Sequence, residues 1–391
     1  MASAEISRVY LDYNATAPLR PEARAATLEA LDVVGNPSSI HAEGRRARAI
    51  VEEARRAVAA LAGAEPRGVV FVSSGTEAAN LALTPAIQAP GLKSPLTRLI
   101  MSAGEHPCVL RGHRFAPAAA AIAPLQADGR LDLDALAELL AREAGAPLLA
   151  LQGANNETGV LQPVAAAAAL VHAAGGIVVC DGVQLPGRVG LVAATSGADF
   201  VFLSAHKFGG PKGAAALVAT RPDLSIEAPL LRGGGQERGA RAGTENVAAI
   251  AGFGAAARLA AAETEREAMR LAALRDQLAQ RLREIAPEAV VFGAPAPRLP
   301  NTLAFAAPGV AAATLLIALD LAGVAVSSGS ACSSGKVTPS HVLAAMGVEP
   351  GLAAGAIRVS LGWASRDEDV DRFGAAVGEA LAGLRRRRSV A

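Results

Sequence analysis

The chain has 391 residues, 51% of them hydrophobic but only 3% aromatic, so more apolar material is present than one core organises, and two domains of helices packed on sheet are expected. Lysine and arginine number 37 against 36 aspartates and glutamates. That balance excludes nucleic acid and anionic membrane as main partners, because both reward a strong basic surplus.

The opening run Met1–Arg8 lacks an apolar signal core, and no stretch approaches roughly 18 uninterrupted apolar residues, so a cytoplasmic protein without a membrane span is expected. Gly44 to Leu61 is amphipathic, laced with arginine and glutamate, and predicts a helix. Gly68 to Val72 predicts a strand, and Gly75 to Leu83 the next helix. Further strands are expected at Arg98 to Ser102, Pro147 to Gln152, Gly176 to Cys180 and Phe200 to Leu203, and the alanine tract Ala165 to Ala169 is helix. From about residue 45 to 330 this alternation is the pattern of a mainly parallel α/β sheet.

A long alanine- and charge-rich helix from Gly254 to Ile285 is placed to link the domains, with proline-rich Ala294 to Pro300 after it. Residues 15–260 are expected to form a large α/β domain, and 1–14 with 261–391 a smaller one. The stretch beyond Asn301 offers a strand, a helix and a serine-glycine loop. A helix opened by Thr338 as N-cap, with Pro339 in its first turn, follows, and then a strand at Ala356 to Leu361. Arg385 to Arg388 reads as a solvated tail at a helix end.

Cys108, Cys180 and Cys332 are too widely spaced for a disulfide framework or a CxxC pair, so no metal site is expected. Cys108 and Cys180 read as structural. Cys332 differs, since it lies in Ser327-Ser328-Gly329-Ser330-Ala331-Cys332-Ser333-Ser334-Gly335, where small, permissive neighbours suit a swinging nucleophile. An unreactive loop thiol is the alternative.

Polar residues follow the predicted strands in a regular way, and in parallel α/β sheets reactive groups gather at carboxyl ends of strands. Ser73-Ser74-Gly75-Thr76-Glu77 could hold a phosphate at a helix N-terminus, or simply cap that helix. Glu105-His106-Pro107 brings an imidazole to a strand end. Asp181, with Gln184 three residues on, is a carboxylate delivered by an apolar strand, which demands a cationic partner. Ser204-Ala205-His206-Lys207 brings an amine nucleophile. An aspartate for a protonated pyridine nitrogen, a lysine for a Schiff base, and hydroxyl and amide donors for a phosphate together describe a pyridoxal phosphate site.

The chain resembles the cysteine desulfurases of the NifS/IscS type, in the aminotransferase class V group of fold-type I pyridoxal phosphate enzymes, along nearly its whole length. The resemblance rests on Tyr10-Leu11-Asp12-Tyr13-Asn14-Ala15-Thr16, Gly35-Asn36-Pro37-Ser38-Ser39-Ile40-His41 and Asn155-Asn156-Glu157-Thr158-Gly159. It rests equally on Ser204-Ala205-His206-Lys207, on Gly233-Gly234-Gly235-Gln236-Glu237 with Arg241-Ala242-Gly243-Thr244-Glu245-Asn246, and on the Cys332 loop, which discriminates best. It implies a large domain with a mainly parallel seven-stranded sheet plus a smaller α/β domain, and conversion of L-cysteine to L-alanine with a persulfide left on Cys332.

On that resemblance Lys207 would carry pyridoxal 5'-phosphate, His106 would stack on its ring and move protons, Asp181 would pair with the ring nitrogen, and Gln184 would bond the ring hydroxyl. Gly75, Thr76, Ser204 and His206 would bind the phosphate, with Thr244 reaching in from the other subunit of a homodimer. Asn156, beside the cofactor, and Arg358 would hold the substrate carboxylate. The implied partner is a sulfur acceptor such as an iron-sulfur scaffold. Tyr13 and Ser73-Ser74 depart from the family's usual asparagine and glycine pair. A selenocysteine lyase, another class V activity, or a non-catalytic sulfur-transfer scaffold are the rival readings.

Overall fold

A computed structural model of the chain describes residues 8–89, 92, 95–142, 145–329 and 339–390. Val69–Val72 (β1), Leu96–Ser102 (β2), Ala120–Ala123 (β3), Ala146–Gln152 (β4), Ile177–Asp181 (β5), Phe200–Ser204 (β6) and Ala215–Ala219 (β7) form a seven-stranded sheet in the order β1-β7-β6-β5-β4-β2-β3. Only β7 runs antiparallel to its neighbours. Both faces of the sheet are covered, which is why its strands read as continuous apolar runs rather than alternating ones. Along β5, Ile177 and Val179 join one apolar layer while Val178 and Cys180 join the other.

The helix predicted around Gly44 spans Ala42–Ala62 and buries Val51, Ala54, Val58 and Leu61, a three-four spacing that keeps one face on the sheet. Gly63, at φ 63°, ends it in the left-handed conformation that glycine adopts without penalty. The long helix begins earlier than its sequence pattern, spanning Val247–Ile285. Its first part buries Phe253, Ala256 and Ala257 under the large sheet, and Leu271, Leu274, Leu278 and Leu282 from its second part enter a separate core. A stretch of it is apolar enough to cross a membrane by length and composition, and half of that stretch is buried within the protein.

The second core lies on a four-stranded antiparallel sheet of Val290–Val291 (β8), Thr302–Ala306 (β9), Ser327–Ser328 (β10) and Ile357–Ser360 (β11), ordered β8-β9-β11-β10. Val9 and Leu11 from the N-terminal segment pack here with Phe305, Val359 and Phe373. The helix after the Cys332 segment differs from expectation: it spans His341–Ala345, and its N-cap is Ser340, whose hydroxyl accepts from the Leu343 amide at 3.1 Å. Pro339 therefore precedes the cap, since the serine hydroxyl rather than the proline ring meets the exposed amides. Thr338, Cys332 and the rest of 330–338 lie outside the described residues.

Candidate active site

A cavity of about 460 Å³ opens where the carboxyl ends of β1, β2, β4, β5 and β6 converge, and the N-terminal segment and β11 complete its wall. Lys207 ends the single helical turn that follows β6, and its Nζ donates to the main-chain oxygens of Asn14 and Ala15 at 2.8 and 2.9 Å. Asp181 ends β5. Burial pushes its carboxyl up to about 6, against the opposing pull of the Val183 amide and the Lys207 charge. Within this wall lies a carboxyl whose ionised form asks for one more cation.

His106 follows β2, and its Nδ1 accepts from the Cys108 amide at 3.1 Å, which fixes the ring at the start of the Pro107–Leu110 turn. Burial, then the charges of Lys207 and His341, lower it to about 4, so its imidazole is neutral at neutral pH. His206 is also lowered to about 4, by burial and by Lys207 and Lys212, and its Nδ1 lies 3.1 Å from Thr16 Oγ1.

The polar end of the cavity is the N-terminus of helix Gly75–Ala82, joined by Ser204 and His206. Ser74 caps this helix, accepting from the Glu77 amide at 3.1 Å, while the Ser73 amide donates to Glu77 at 2.8 Å. Burial would raise the Glu77 carboxyl, but the Ser73 hydroxyl and amide and Arg241 outweigh it and hold it below its ordinary value. Ser73 and Ser74 thus serve the helix end while lining the cavity together with Gly75 and Thr76.

Arg358 lies in β11 between two neighbours, not on an edge, and is 3% exposed. It donates to the Asn156 carbonyl at 3.1 Å and to Asp12 at 2.7 Å, and its buried Nε has no partner among the described residues. Asn156 lines the same wall.

All the sequence-predicted site residues except Cys332 and Thr244 line this one cavity. Thr244 is exposed and stands off it, in a segment tied down by Arg241, which donates to Glu77 at 3.1 Å. Cys180 is buried in an apolar layer, and burial pushes its thiol well above the ordinary value. Cys108, expected to be merely structural, is half-buried and lines the cavity.

Three residues carry weight that sequence reasoning missed. Asn14 accepts from Gln184 at 3.0 Å and Lys207 through its carbonyl, and its amide donates to Asn156 and Thr302 at 3.1 and 3.0 Å. Arg188, buried, donates to the Gln184, Tyr13 and Lys207 carbonyls at 2.9, 3.3 and 3.2 Å, and to the Gln184 side chain. Burial, then Arg358, lowers it to about 9. Glu105, fully buried, accepts from the Gln152 amide at 2.7 Å, while its other oxygen has no partner among the described residues; burial and Asp181 hold this carboxyl well above its ordinary value. Asn14 stood in the Tyr10–Thr16 string and Glu105 beside His106, whereas Arg188 had no such signal.

A half-buried amine, carboxyl and imidazole at the carboxyl edge of a mainly parallel sheet, facing a helix N-terminus, define an α/β enzyme site. Residues 9–373 match the aminotransferase class-V family, and the chain belongs to it. It is similar to a cysteine desulfurase of Cereibacter sphaeroides, 43% identical over 375 residues that cover 94% of each chain. Its similarity to the cysteine desulfurase IscS of Dictyoglomus turgidum is 39% identity over 367 residues, covering 93% of this chain and 92% of the relative. Among solved structures, a NifS-like protein from Rickettsia africae superposes with a TM-score of 0.86 at 33% identity, covering 96% of this chain and 99% of that one.

Proposed function

We propose that this chain is a pyridoxal phosphate-dependent cysteine desulfurase, which converts L-cysteine to L-alanine and keeps the sulfur as a persulfide on Cys332 for delivery to an acceptor such as an iron-sulfur scaffold protein. The observation that carries this is the convergence of Lys207, Asp181 and His106 on one cavity with Arg358 in its wall, in a chain similar to enzymes of that name over nearly its full length. The donor set fits the cofactor. A carboxyl with a raised pKa suits a cationic ring nitrogen, a helix N-terminus with Thr76, Ser204 and His206 suits a phosphate, and the orphaned Nε of Arg358 suits a carboxylate.

Bound there, pyridoxal phosphate supplies an electron sink that lets the substrate α-proton leave and the carbon-sulfur bond weaken. Lys207 Nζ would hold the cofactor covalently and, once freed, would take the substrate α-proton and return it. Asp181 would keep its charge against the ring nitrogen, because a cation in contact would oppose the shift that burial causes. Neutral His106 would stack on the ring and, because its Nδ1 accepts from the Cys108 amide, carries its proton at Nε2, from which it can donate. Gln184, held through Asn14 and Arg188, orients the ring hydroxyl. Asn156 and Arg358 fix the substrate carboxylate.

The Cys332 thiolate attacks the substrate sulfur. A sulfur-sulfur bond forms as the carbon-sulfur bond breaks, and the electron pair left on carbon is protonated, giving alanine. The enzyme thiol is oxidised to persulfide as the substrate carbon is reduced, so no outside oxidant is needed. Thr244 serves the partner subunit's phosphate in a homodimer, residues 15–260 form the large domain, and 1–14 with 261–391 the small one. A cytoplasmic location suits a thiol that must stay reduced between turnovers.

The test is to incubate protein and L-cysteine with a reductant and to quantify alanine and sulfide together. Equal yields that vanish in Cys332→Ala are expected, and alanine formation unchanged in that variant would refute the proposal.

A further inference from the structure

The turn from Ala154 to Gly159 presents neighbouring side chains to two different places. Asn156 lines the cavity, and its carbonyl accepts from Asn14 and Arg358, both at 3.1 Å. Glu157, 6% exposed, faces the other way along the chain's connectivity, toward the two residues from which the Cys332 segment departs and to which it returns. Its Oε2 accepts from the Ser340 hydroxyl at 2.5 Å, across a separation of 183 residues. The same oxygen lies so close to Gly329 that a Cβ built there would stand 2.6 Å from it. Gly329 follows β10 and Ser340 caps helix His341–Ala345, so one carboxyl touches both stems of residues 330–338.

The turn itself is rigidly held. Asn155 Oδ1 accepts from the amides of Glu157 and Thr158, both at 2.9 Å, and from the Thr158 hydroxyl at 3.2 Å. The Asn155 amide donates to the Gly104 carbonyl at 3.2 Å, one residue before the Glu105-His106 pair. A carboxyl is a costly group to bury for the sake of a helix cap that the Ser340 hydroxyl already makes. Burial raises Glu157 to about 7, with the Ser340 hydroxyl and Arg358 pulling the other way.

We infer that Glu157 is a positioning residue for the sulfur-transfer step: it bonds Ser340 and packs against Gly329, the two residues that flank 330–338, and so ties both to the turn that carries Asn156. This rests on the desulfurase reading for the role of Cys332, whereas the anchor itself rests on geometry alone. Gly329 is required by it, because any side chain there would displace the carboxyl. A glutamine at 157 preserves the shape and the acceptor for Ser340, and an alanine preserves neither.

The experiment compares Glu157→Ala, Glu157→Gln and Gly329→Ala with wild type in the cofactor-loaded protein. Two readouts are taken: kcat and KM for alanine release from L-cysteine, and the rate at which iodoacetamide alkylates the Cys332 peptide, followed by mass spectrometry. Glu157→Ala and Gly329→Ala should lose about tenfold or more in kcat with KM changed by less than about threefold, and Cys332 should alkylate roughly threefold faster or more. Glu157→Gln should stay within about threefold of wild type on both. The inference is overturned if the alanine variants match wild type in kcat and alkylation, or if Glu157→Gln falls as far as Glu157→Ala, or if the losses track lost cofactor absorbance. Should wild type release no alanine at all, the desulfurase reading fails, and the alkylation rates alone still decide whether Glu157 anchors the segment.

Discussion

Arg358 donates to the Asp12 carboxylate across 2.7 Å, tying an interior strand of the small sheet to the N-terminal segment beside the cavity. With the Asn156 carbonyl as second acceptor, the guanidinium is held in one orientation, and its Nε remains for a ligand. A lysine cannot satisfy Asp12, the Asn156 carbonyl and a substrate carboxylate from one planar fork. Arg358→Lys should therefore raise KM for L-cysteine by about tenfold or more while kcat falls less, as steady-state kinetics would show.

Asp181 makes stability depend on pH in a sign that is easily read. Its folded value of about 6 exceeds the ordinary 3.8, so the folded cofactor-free chain holds the proton longer than the unfolded one. Stability contributed by this group is complete at low pH and is lost as pH rises from about 4 to about 6. Asp181→Asn removes that loss. In cofactor-free protein it should raise stability near neutral pH by on the order of 2 kcal/mol, with the gain shrinking toward pH 4, and it should weaken cofactor retention. Denaturant unfolding at several pH values checks this, and a gain independent of pH would refute it.

The hydrogen bonds that Lys207 Nζ donates in the apo fold go to the carbonyls of Asn14 and Ala15, at the chain's surface-facing cavity wall rather than in an apolar core. Lys207→Ala should therefore fold with a Tm within a few degrees of wild type, at a cost of about 1–2 kcal/mol, yet release pyridoxal phosphate on gel filtration and show no turnover. Absorbance of the eluted protein reads the retention directly.

A buried ion pair fastens the segment that carries Arg241 and Thr244. Arg55 grips Glu237 at 2.7 and 2.8 Å and lies 4.9 Å over the Phe71 ring, and the Phe71 amide donates to Glu237 at 2.9 Å. Glu237 and Arg238 take φ of 47° and 57°, a conformation that side chains rarely adopt, so the clamp also holds backbone strain. Glu237→Ala removes the buried partner of Arg55 and leaves it only the half-exposed Glu52, and should cost about 3 kcal/mol in thermal or denaturant unfolding.

The strands and the polar groups at their ends were legible because each is local: an apolar run closes on Asp181, Ser204 or Ser102, and the chemistry follows within a few residues. Lys207, Asp181 and His106 could therefore be named before any coordinates. Glu157 could not, since its meaning lies in contacts with Gly329 and Ser340 far along the chain. Arg188 stands in a glycine-rich stretch with no local signal of its role, and only the fold buries it against Lys207 and Gln184. The left-handed pair at 237–238 was hidden for the opposite reason, as neither residue is the glycine that such a conformation normally announces. The displaced helix start at Ser340 came from two capping residue types, Thr338 and Ser340, on either side of Pro339, between which sequence alone offers no choice.

The most direct measurement is a single turnover of cofactor-loaded protein with L-cysteine and no reductant, followed by digestion and mass spectrometry of the cysteine peptides. A persulfide on the Cys332 peptide, in the same amount as the alanine released and absent from Cys108 and Cys180, is the predicted result. Alanine released while Cys332 stays an unmodified thiol, or a persulfide formed on Cys108 instead, would contradict it.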